Sequence, residues 1–306
     1  MSDFEHLQWG AEALWKQLEP LLPGLSVEVV ARADSTNSRL IARARDAAGQ
    51  PDAPISVPAE LQNRSEVVGS AYRPLGRRSD DTMPYLLVAE HQTEGRGRMG
   101  RDWRALPGAS LTFSLALPMA PRQWSGMSLA VGLAIAQALD PDGSANAPRI
   151  GLKWPNDLWL CDTAAALCPG RKLGGILIET ITVGDSRMCV VGIGLNVCPF
   201  PSPTLNEGLS QGIACLQEIE PDITPPLVLA RVAEPLVRAL HDFERRGFAP
   251  LAAAYARRDV LRGQAVTTTH SEVEGGVAEG VDDDGALRVR SGQLHRLVSG
   301  EVSVRV

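Results

Sequence analysis

A short segment rich in glycine and arginine is the clearest candidate for chemistry in this chain. It spans 95–103 (GRGRMGRDW), and its first seven residues hold three arginines and three glycines. Glycine allows backbone amides to approach a ligand closely, and the planar guanidinium group pairs bidentately with phosphate or carboxylate. Because the whole chain has a net charge of −6, this local positive charge predicts a bound anion, with a polyphosphate as the best match. Taken alone, the segment is equally compatible with a solvated turn.

Two further polar segments lie at the ends of apolar, strand-like runs. Residues 153–157 (KWPND) join two such runs. Proline after tryptophan favours an extended turn, and an Asn-Asp pair can bond its own backbone or hold a metal or a ribose. Residues 171–179 (RKLGGILIE) place Lys172 at the mouth of an apolar strand, where two glycines leave space for a ligand. Each segment alone is also compatible with a plain hairpin turn or with a buried, bulged strand.

A strand interrupted by glycines, residues 191–197 (VGIGLNV), contains Asn196, whose amide suits the edge of an adenine ring. This segment lacks the third glycine of a dinucleotide-binding fingerprint, and no helical pattern begins there, so we exclude a Rossmann site. The chain also has no P-loop, no H-E-x-x-H zinc motif and no G-x-S-x-G nucleophile elbow. The combination of segments is therefore more informative than any one of them.

Composition and charge limit the class of protein. A length of 306 residues allows one large core, or one core with a small satellite domain. The pI near 5.5 argues against a nucleic-acid-binding surface over the whole molecule. Five cysteines without a C-x-x-C pair indicate reduced thiols, and the longest apolar run, Met127–Leu139, is too short to span a bilayer. Because the N-terminus also lacks the pattern of a signal peptide, we expect a cytoplasmic protein without nucleic-acid or membrane partners.

The elements that must position these segments follow from apolar patterns and turn residues. Strand patterns occur over 25–32, 85–90, 111–117, 150–153, 157–161, 173–181 and 188–194. Helical patterns occur over 38–45, 126–139 (with Ser125 as the cap), 226–246 and 250–257. Beyond residue 262, five short β-like runs separated by Gly and Asp predict a small antiparallel barrel. Residues 47–84, rich in Pro, Asp, Arg and Ser, predict a long surface excursion that is at most partly ordered.

Six segments occur in a fixed order along the chain: Ser35-Thr36-Asn37, Glu90-x-Gln92, GRGRxGRxW at 95–103, KWPND at 153–157, RKLGGILIE at 171–179 and GIGLNV at 192–197. In order and approximate spacing they resemble the motifs of the biotin–protein ligases. The resemblance implies an α/β (α+β) fold: a mixed, mainly antiparallel sheet flanked by helices, of the class II synthetase-like type, with a small C-terminal SH3-like β-barrel. It implies a catalytic domain over 1–258, with 47–84 as a surface insertion, and the barrel over 260–306.

The resemblance also implies an activity. The family activates biotin with MgATP to biotinyl-5′-AMP, releases pyrophosphate, and transfers biotin to one lysine of a biotin carboxyl carrier protein or domain. Lys172 is implied as the central catalytic residue, assisted by Arg96 and Arg98. The residues implied to bind biotin are Ser35, Thr36, Asn37, Gln92, Arg96, Gly97, Arg98, Lys172 and Gly175. Those implied to bind ATP or the adenylate are Gly95, Arg96, Arg98, Arg101, Trp103, Asn156, Asp157, Lys172 and Asn196.

Three other functions fit parts of the sequence. A lipoate or octanoate acyltransferase shares the fold class but lacks the arginine-glycine loop in this form. Some family members carry an N-terminal DNA-binding domain and repress transcription, but only about 25 residues precede the first predicted strand here, so we expect a monofunctional ligase. The intact Lys172 argues against an inactive protein that only binds the carrier domain. The sequence leaves open the metal ligands, and whether the chain is a monomer or a homodimer.

Overall fold

The computed structural model describes residues 7–47, 64–69, 82–141, 147–161, 170–200, 212–271 and 273–304. The helices of these residues are α1 (Ala11–Leu18), α2 (Thr36–Ala47), α3 (Met127–Leu139), α4 (Pro225–Arg246) and α5 (Ala252–Ala256). The first eight strands are β1 (Ser26–Ala33), β2 (Arg64–Gly69), β3 (Tyr85–Gln92), β4 (Ser110–Pro118), β5 (Ile150–Lys153), β6 (Asp157–Leu160), β7 (Arg171–Val183) and β8 (Ser186–Asn196). The last five are β9 (Ala265–His270), β10 (Val273–Val281), β11 (Leu287–Ser291), β12 (Gln293–Leu297) and β13 (Val302–Val304).

The first eight strands form one sheet in the order β2-β1-β3-β4-β8-β7-β6-β5. Only β1 and β3 pair in parallel, and every other neighbouring pair is antiparallel. A parallel pair needs a crossover connection, and α2 lies in the chain between these two strands. The predicted mixed, mainly antiparallel sheet flanked by helices is therefore confirmed.

The central strands are buried on both faces, which explains their almost continuous apolar sequence. In β3, Leu86 and Val88 belong to the main core, which also contains the buried faces of α3 and α4. The alternate residue Leu87 belongs to a second cluster on the other face, together with Leu40 of α2. Because successive side chains of a strand point to opposite faces, β3 contributes to both clusters.

Two local predictions are changed by the structure. The 47–84 excursion contains a strand, since β2 pairs antiparallel with β1 at the edge of the sheet; most of the excursion lies outside the described residues. Ser125 does not cap α3, because its hydroxyl donates to the Asp284 carbonyl at 2.7 Å. The capping position is Gly126, with φ of 81°, where a Cβ would lie 2.7 Å from the Phe248 Cβ. Only glycine fits this left-handed, crowded position.

The last five strands form an antiparallel sheet in the order β12-β11-β10-β9-β13, which confirms the predicted antiparallel C-terminal unit. Its apolar residues, such as Val266 and Leu287, belong to the same main core as the first sheet. A buried tryptophan links the two sheets, since Trp154 Nε1 donates to the Gly285 carbonyl at 3.0 Å. Among the helices in the described ranges, none is long and apolar enough to cross a membrane.

Candidate active site

One cavity of about 770 Å³ collects almost all of the predicted site residues. It is lined by the predicted residues Ser35, Thr36, Asn37, Gln92, Arg96, Gly97, Arg98, Arg101, Trp103, Asn156, Asp157, Lys172, Gly175 and Asn196. Gly95 is the exception: it is buried, and a Cβ there would lie 2.3 Å from the Trp103 carbonyl oxygen. Gly95 does not line the cavity, so its contact with the adenylate stays a prediction. Gly95 instead allows two backbone segments of the loop to pack closely.

A buried polar network occupies the end of the cavity formed by α2, β3 and β4. The Thr36 amide donates to Gln92 Oε1 at 2.7 Å. The Ser114 hydroxyl oxygen lies 2.6 Å from both Thr36 Oγ1 and Asn37 Oδ1. Because a carbonyl oxygen can only accept, Ser114 donates its one hydroxyl proton to Asn37. The Thr36 hydroxyl lies within hydrogen-bond distance of both Ser114 and Gln92 Oε1, the latter at 3.1 Å. These contacts join the four side chains into one network.

Asn37 and Gln92 differ in what they can offer to a ligand. Asn37 Nδ2 donates to the Leu177 carbonyl at 3.2 Å and to Glu179 Oε2 at 2.9 Å, so both of its N–H groups are used inside the protein and hold α2 against β7. That Asn37 also binds a ligand stays a prediction, for which its carbonyl oxygen is the remaining group. Gln92 Nε2, by contrast, has no hydrogen-bond acceptor among the described residues, while Gln92 lines the cavity. It is a donor available to a ligand.

The three arginines of the 95–103 loop reach three different partners. Arg96 pairs with Glu179 at 3.3 Å, and Arg101 pairs with Glu301. Arg98 donates to Asn156 Oδ1 and to the Gly300 carbonyl, each at 3.3 Å, and pairs with no carboxylate of the described residues. Burial lowers the pKa of Arg98 below its ordinary value, although the charges of nearby carboxylates oppose this shift. A half-buried guanidinium that bonds only neutral oxygens favours the arrival of an anion.

Lys172 lies near the centre of the cavity, on β7. Its Nζ donates to Asp157 Oδ1 at 2.8 Å, and both side chains are mostly buried. The neighbouring Gly175 leaves space beside this pair, since a Cβ there would meet nothing closer than 3.6 Å. The site thus holds a shielded ammonium that one carboxylate neutralises and that a ligand anion can share or take over.

Two asparagines near Lys172 are partly committed to the backbone. Asn156 donates to the Ile176 carbonyl at 2.8 Å and accepts from Arg98, so it fixes the KWPND turn against β7. Asn196 Nδ2 donates to the carbonyls of Lys172 and Ala214 at 3.3 and 3.1 Å. Only the carbonyl oxygen of Asn196 is therefore left for a base.

Trp103 offers an aromatic surface with an unused donor. Its indole fills the gap above Gly194 on β8, where a Cβ would lie 2.3 Å from Trp103 Cε2. The Trp103 Nε1 atom is buried and has no hydrogen-bond partner among the described residues. A buried N–H group of this kind calls for an acceptor, which a ligand in the cavity could supply.

The structure adds four residues that sequence reasoning missed: Ser114, Lys153, Trp159 and Glu301. Lys153 and Trp159 line the cavity, with Lys153 Nζ 4.7 Å from the Trp159 ring centroid. Lys153 could have been found, because a lysine ends an apolar strand inside a motif already singled out. Ser114 and Glu301 carry no local signal, since their site partners are far away in the sequence.

Comparisons with known proteins agree with this geometry. Residues 76–196 match the model of the "Biotin/lipoate A/B protein ligase family", and 263–305 match the "Biotin protein ligase C terminal domain". The chain is 33% identical over 243 residues to the "Bifunctional ligase/repressor BirA" of Salmonella typhimurium, covering 74% of this chain and 72% of that protein. It is 31% identical over 296 residues to the "Biotin--[acetyl-CoA-carboxylase] ligase" of Mycobacterium tuberculosis, covering 91% and 85%. A solved structure, the biotin protein ligase from Aquifex aeolicus in complex with biotin and ATP, shares the fold with a TM-score of 0.63 and 24% identity, covering 91% of this chain and 98% of that one.

Proposed function

Because this chain belongs to the biotin protein ligases, we propose that its cavity joins biotin to ATP and then passes the biotinyl group to a carrier-domain lysine. The activity is ATP-dependent biotin ligation. The observation that carries the proposal is the meeting, in one cavity, of a neutral polar end, an arginine-rich loop and the shielded Lys172. The lipoate-ligase alternative is not favoured, since the relatives named above are biotin ligases.

The neutral polar end suits the uncharged ring of biotin. In our proposal the free Gln92 amide donates to the biotin head group, and Ser35 and Thr36 complete its polar surroundings. The Gly175 backbone lies along the same wall. An unpaired buried polar group costs about 1–3 kcal/mol, so matched partners at this end select a ligand with a polar head group.

The cationic part of the cavity suits the reacting groups. A carboxylate oxygen of biotin attacks the α-phosphorus of ATP, the bond from that phosphorus to the bridging oxygen breaks, and pyrophosphate leaves with the electron pair. Two anions must meet in this step, so positive charge placed between them lowers the barrier. We assign this charge to Lys172, Arg96 and Arg98, with the Gly97 backbone beside them. Lys172 would exchange its bond with Asp157 for bonds with the ligand.

The nucleotide base is assigned to the Trp103 side of the cavity. The indole provides a stacking surface, and the Asn196 carbonyl oxygen provides an acceptor for an amino group. We place Arg101 beside the phosphates, and give Asn156 and Asp157 the supporting role of holding Arg98 and Lys172.

We propose that magnesium reaches the cavity together with ATP, as MgATP, and is not an ion resident in the protein. In the described ranges no three His, Cys, Asp or Glu side chains form a group suited to a metal ion. Of the three carboxylates that line the cavity, Asp157 and Glu301 are each paired with a cation, and Asp102 is the third. Mg²⁺ is commonly held largely by substrate phosphates and water, which is compatible with this donor set.

Domain organisation and partners complete the proposal. We divide the chain into a catalytic domain over 1–258 and a C-terminal domain over 260–306, supported by the two separate sheets. The acceptor is a biotin carboxyl carrier protein or domain. The net charge of −6 supports a ligase that does not bind nucleic acid.

The decisive experiment is biotin-dependent exchange of labelled pyrophosphate into ATP, with the wild-type protein and Lys172→Ala. We expect robust exchange that requires biotin and is lost in the variant, because the variant lacks the charge between the two reacting anions. Lipoate in place of biotin should give no signal. Wild-type protein that exchanges pyrophosphate with neither acid would exclude the proposed activity.

A further inference from the structure

The cavity wall contains a second lysine, Lys153, which lies against an aromatic ring. Lys153 is the last residue of β5 and pairs across the strands with Asp157. Its ammonium group lies over the face of Trp159, with Nζ 4.7 Å from the ring centroid. Both side chains line the cavity, so the ammonium group is held in place by an aromatic wall and not by a carboxylate.

Three of the neighbouring cations are already neutralised, while Arg98 bonds to neutral oxygens. Lys172 pairs with Asp157, Arg96 with Glu179 and Arg101 with Glu301. Lys153 forms no ion pair with any carboxylate in the part of the chain that the structure describes. Burial lowers the pKa of Lys153, and the charges of Lys172 and Arg101 lower it further, while Asp157 and Glu301 raise it.

A shielded ammonium without a carboxylate is unfavourable in the empty protein. The free-energy cost of this shielded charge is offset when a ligand places negative charge beside the ammonium group. Biotin has a single carboxylate, which our proposal assigns to Lys172 and the loop arginines. The remaining negative charge of the reaction is on the β- and γ-phosphates of ATP. Lys153 lies opposite Asp157 in the β5–β6 pair, and Asp157 accepts a hydrogen bond from Lys172, so Lys153 lies beside the proposed reacting centre.

We propose that Lys153 binds the β- and γ-phosphates of ATP and stabilises the pyrophosphate that leaves. This inference rests on the proposed ligase function. When the bond between the α-phosphorus and the bridging oxygen breaks, the electron pair goes to that oxygen, and the Lys153 charge stabilises the negative charge formed there. No proton transfer is required of Lys153, which remains an ammonium group.

The two half-reactions of the enzyme differ in their need for Lys153. Formation of biotinyl-AMP needs a cation beside the leaving pyrophosphate, whereas transfer from finished biotinyl-AMP to the carrier lysine involves no β- or γ-phosphate. Lys153 therefore acts in the first half-reaction alone. Lys172, which we place beside the acyl–phosphate bond itself, acts where both half-reactions take place.

The test uses Lys153→Met, which keeps the apolar stem and removes the charge. Lys16→Met serves as the matched control, because Lys16 is an exposed lysine of α1 outside the cavity. In Lys153→Met we expect the KM for ATP in pyrophosphate exchange to rise about tenfold or more, the loss of one charge-assisted contact. The KM for biotin, and single-turnover transfer from synthetic biotinyl-AMP, should stay within about twofold of wild type.

Three outcomes would overturn the proposal while exchange by wild-type protein leaves the ligase function standing. The first is an unchanged KM for ATP in Lys153→Met. The second is an equal loss of adenylation and of transfer from synthetic biotinyl-AMP in a variant that still folds. If Lys153→Met does not fold, Lys153→Arg is measured instead. This variant keeps the charge and should hold the KM for ATP within about threefold of wild type. A tenfold rise of the KM for ATP in Lys153→Arg is the third outcome. Wild-type protein without exchange would instead remove the proposed function.

Discussion

The hydroxyl of Ser114 positions polar side chains at one end of the cavity. Its removal should lower both the stability of the protein and its affinity for biotin, and a control variant distinguishes the two effects. Ser114 is fully buried on β4 and links Thr36 to Asn37 through two contacts of 2.6 Å. Ser114→Ala removes a hydrogen bond worth about 1 kcal/mol and leaves the buried Asn37 Oδ1 without its donor, at a further cost of about 1 kcal/mol. We therefore expect the free energy of unfolding to fall by about 2 kcal/mol, measured by urea denaturation.

The matched control is Thr112→Val, two residues earlier on the same face of the same strand. Thr112 is also buried, but its hydroxyl donates to the Ala89 carbonyl at 2.8 Å, outside the network. Its loss should also destabilise the protein, by about 1 kcal/mol. Biotin affinity should distinguish the two variants: in calorimetry we expect Kd to rise about fivefold to tenfold in Ser114→Ala, and to change less than twofold in Thr112→Val. Equal biotin affinities in the two variants would refute the reasoning that Ser114 positions the biotin end.

Three further predictions concern the nucleotide site, the fold and pH. Gly194→Val should raise Kd for ATP about tenfold or more while biotin still binds, because the new side chain displaces Trp103; calorimetry with each ligand checks this. Arg258→Ala should lower the free energy of unfolding by about 3–5 kcal/mol, since it leaves the buried Asp140 without the Arg258 guanidinium 2.7 Å away, whereas Arg238→Ala on the surface should cost below about 1 kcal/mol. Burial raises the pKa of Asp259 to about 6 from 3.8, so the folded state keeps a proton that the unfolded state has lost. Stability from this group is therefore highest near pH 4 and falls as pH rises to about 6; Asp259→Asn should remove this dependence in unfolding curves at pH 4.5 and 7, and an unaltered dependence would contradict it.

Much of the fold was readable from local patterns. The apolar runs of β3 and β8 are buried on both faces, so their sequences are nearly continuous and easy to detect. The amphipathic α4 was equally clear, because its apolar face repeats at the helical period. The cap of α3 was not predictable: Gly126 is required by Phe248, which lies more than a hundred residues away in the sequence. A cap rule based on neighbouring residues selects Ser125 and cannot detect that contact.

The motifs of the sequence by themselves determined which chemistry this protein performs. The residue types at 95–103 indicated a cationic loop. The resemblance carried by the motifs at 35–37, 90–92, 95–103, 153–157, 171–179 and 192–197 implied the polar head-group site and the central lysine. Only the tertiary structure decided which of these groups are free. Asn37 and Gln92 have the same kind of amide, yet both N–H groups of Asn37 are used by β7, while Gln92 keeps a donor that no described residue accepts. Lys153 and Lys172 are also alike in sequence, but of the two only Lys172 forms an ion pair within the described ranges. The physical reason is that hydrogen bonds and ion pairs depend on distances set by strands far apart in the chain.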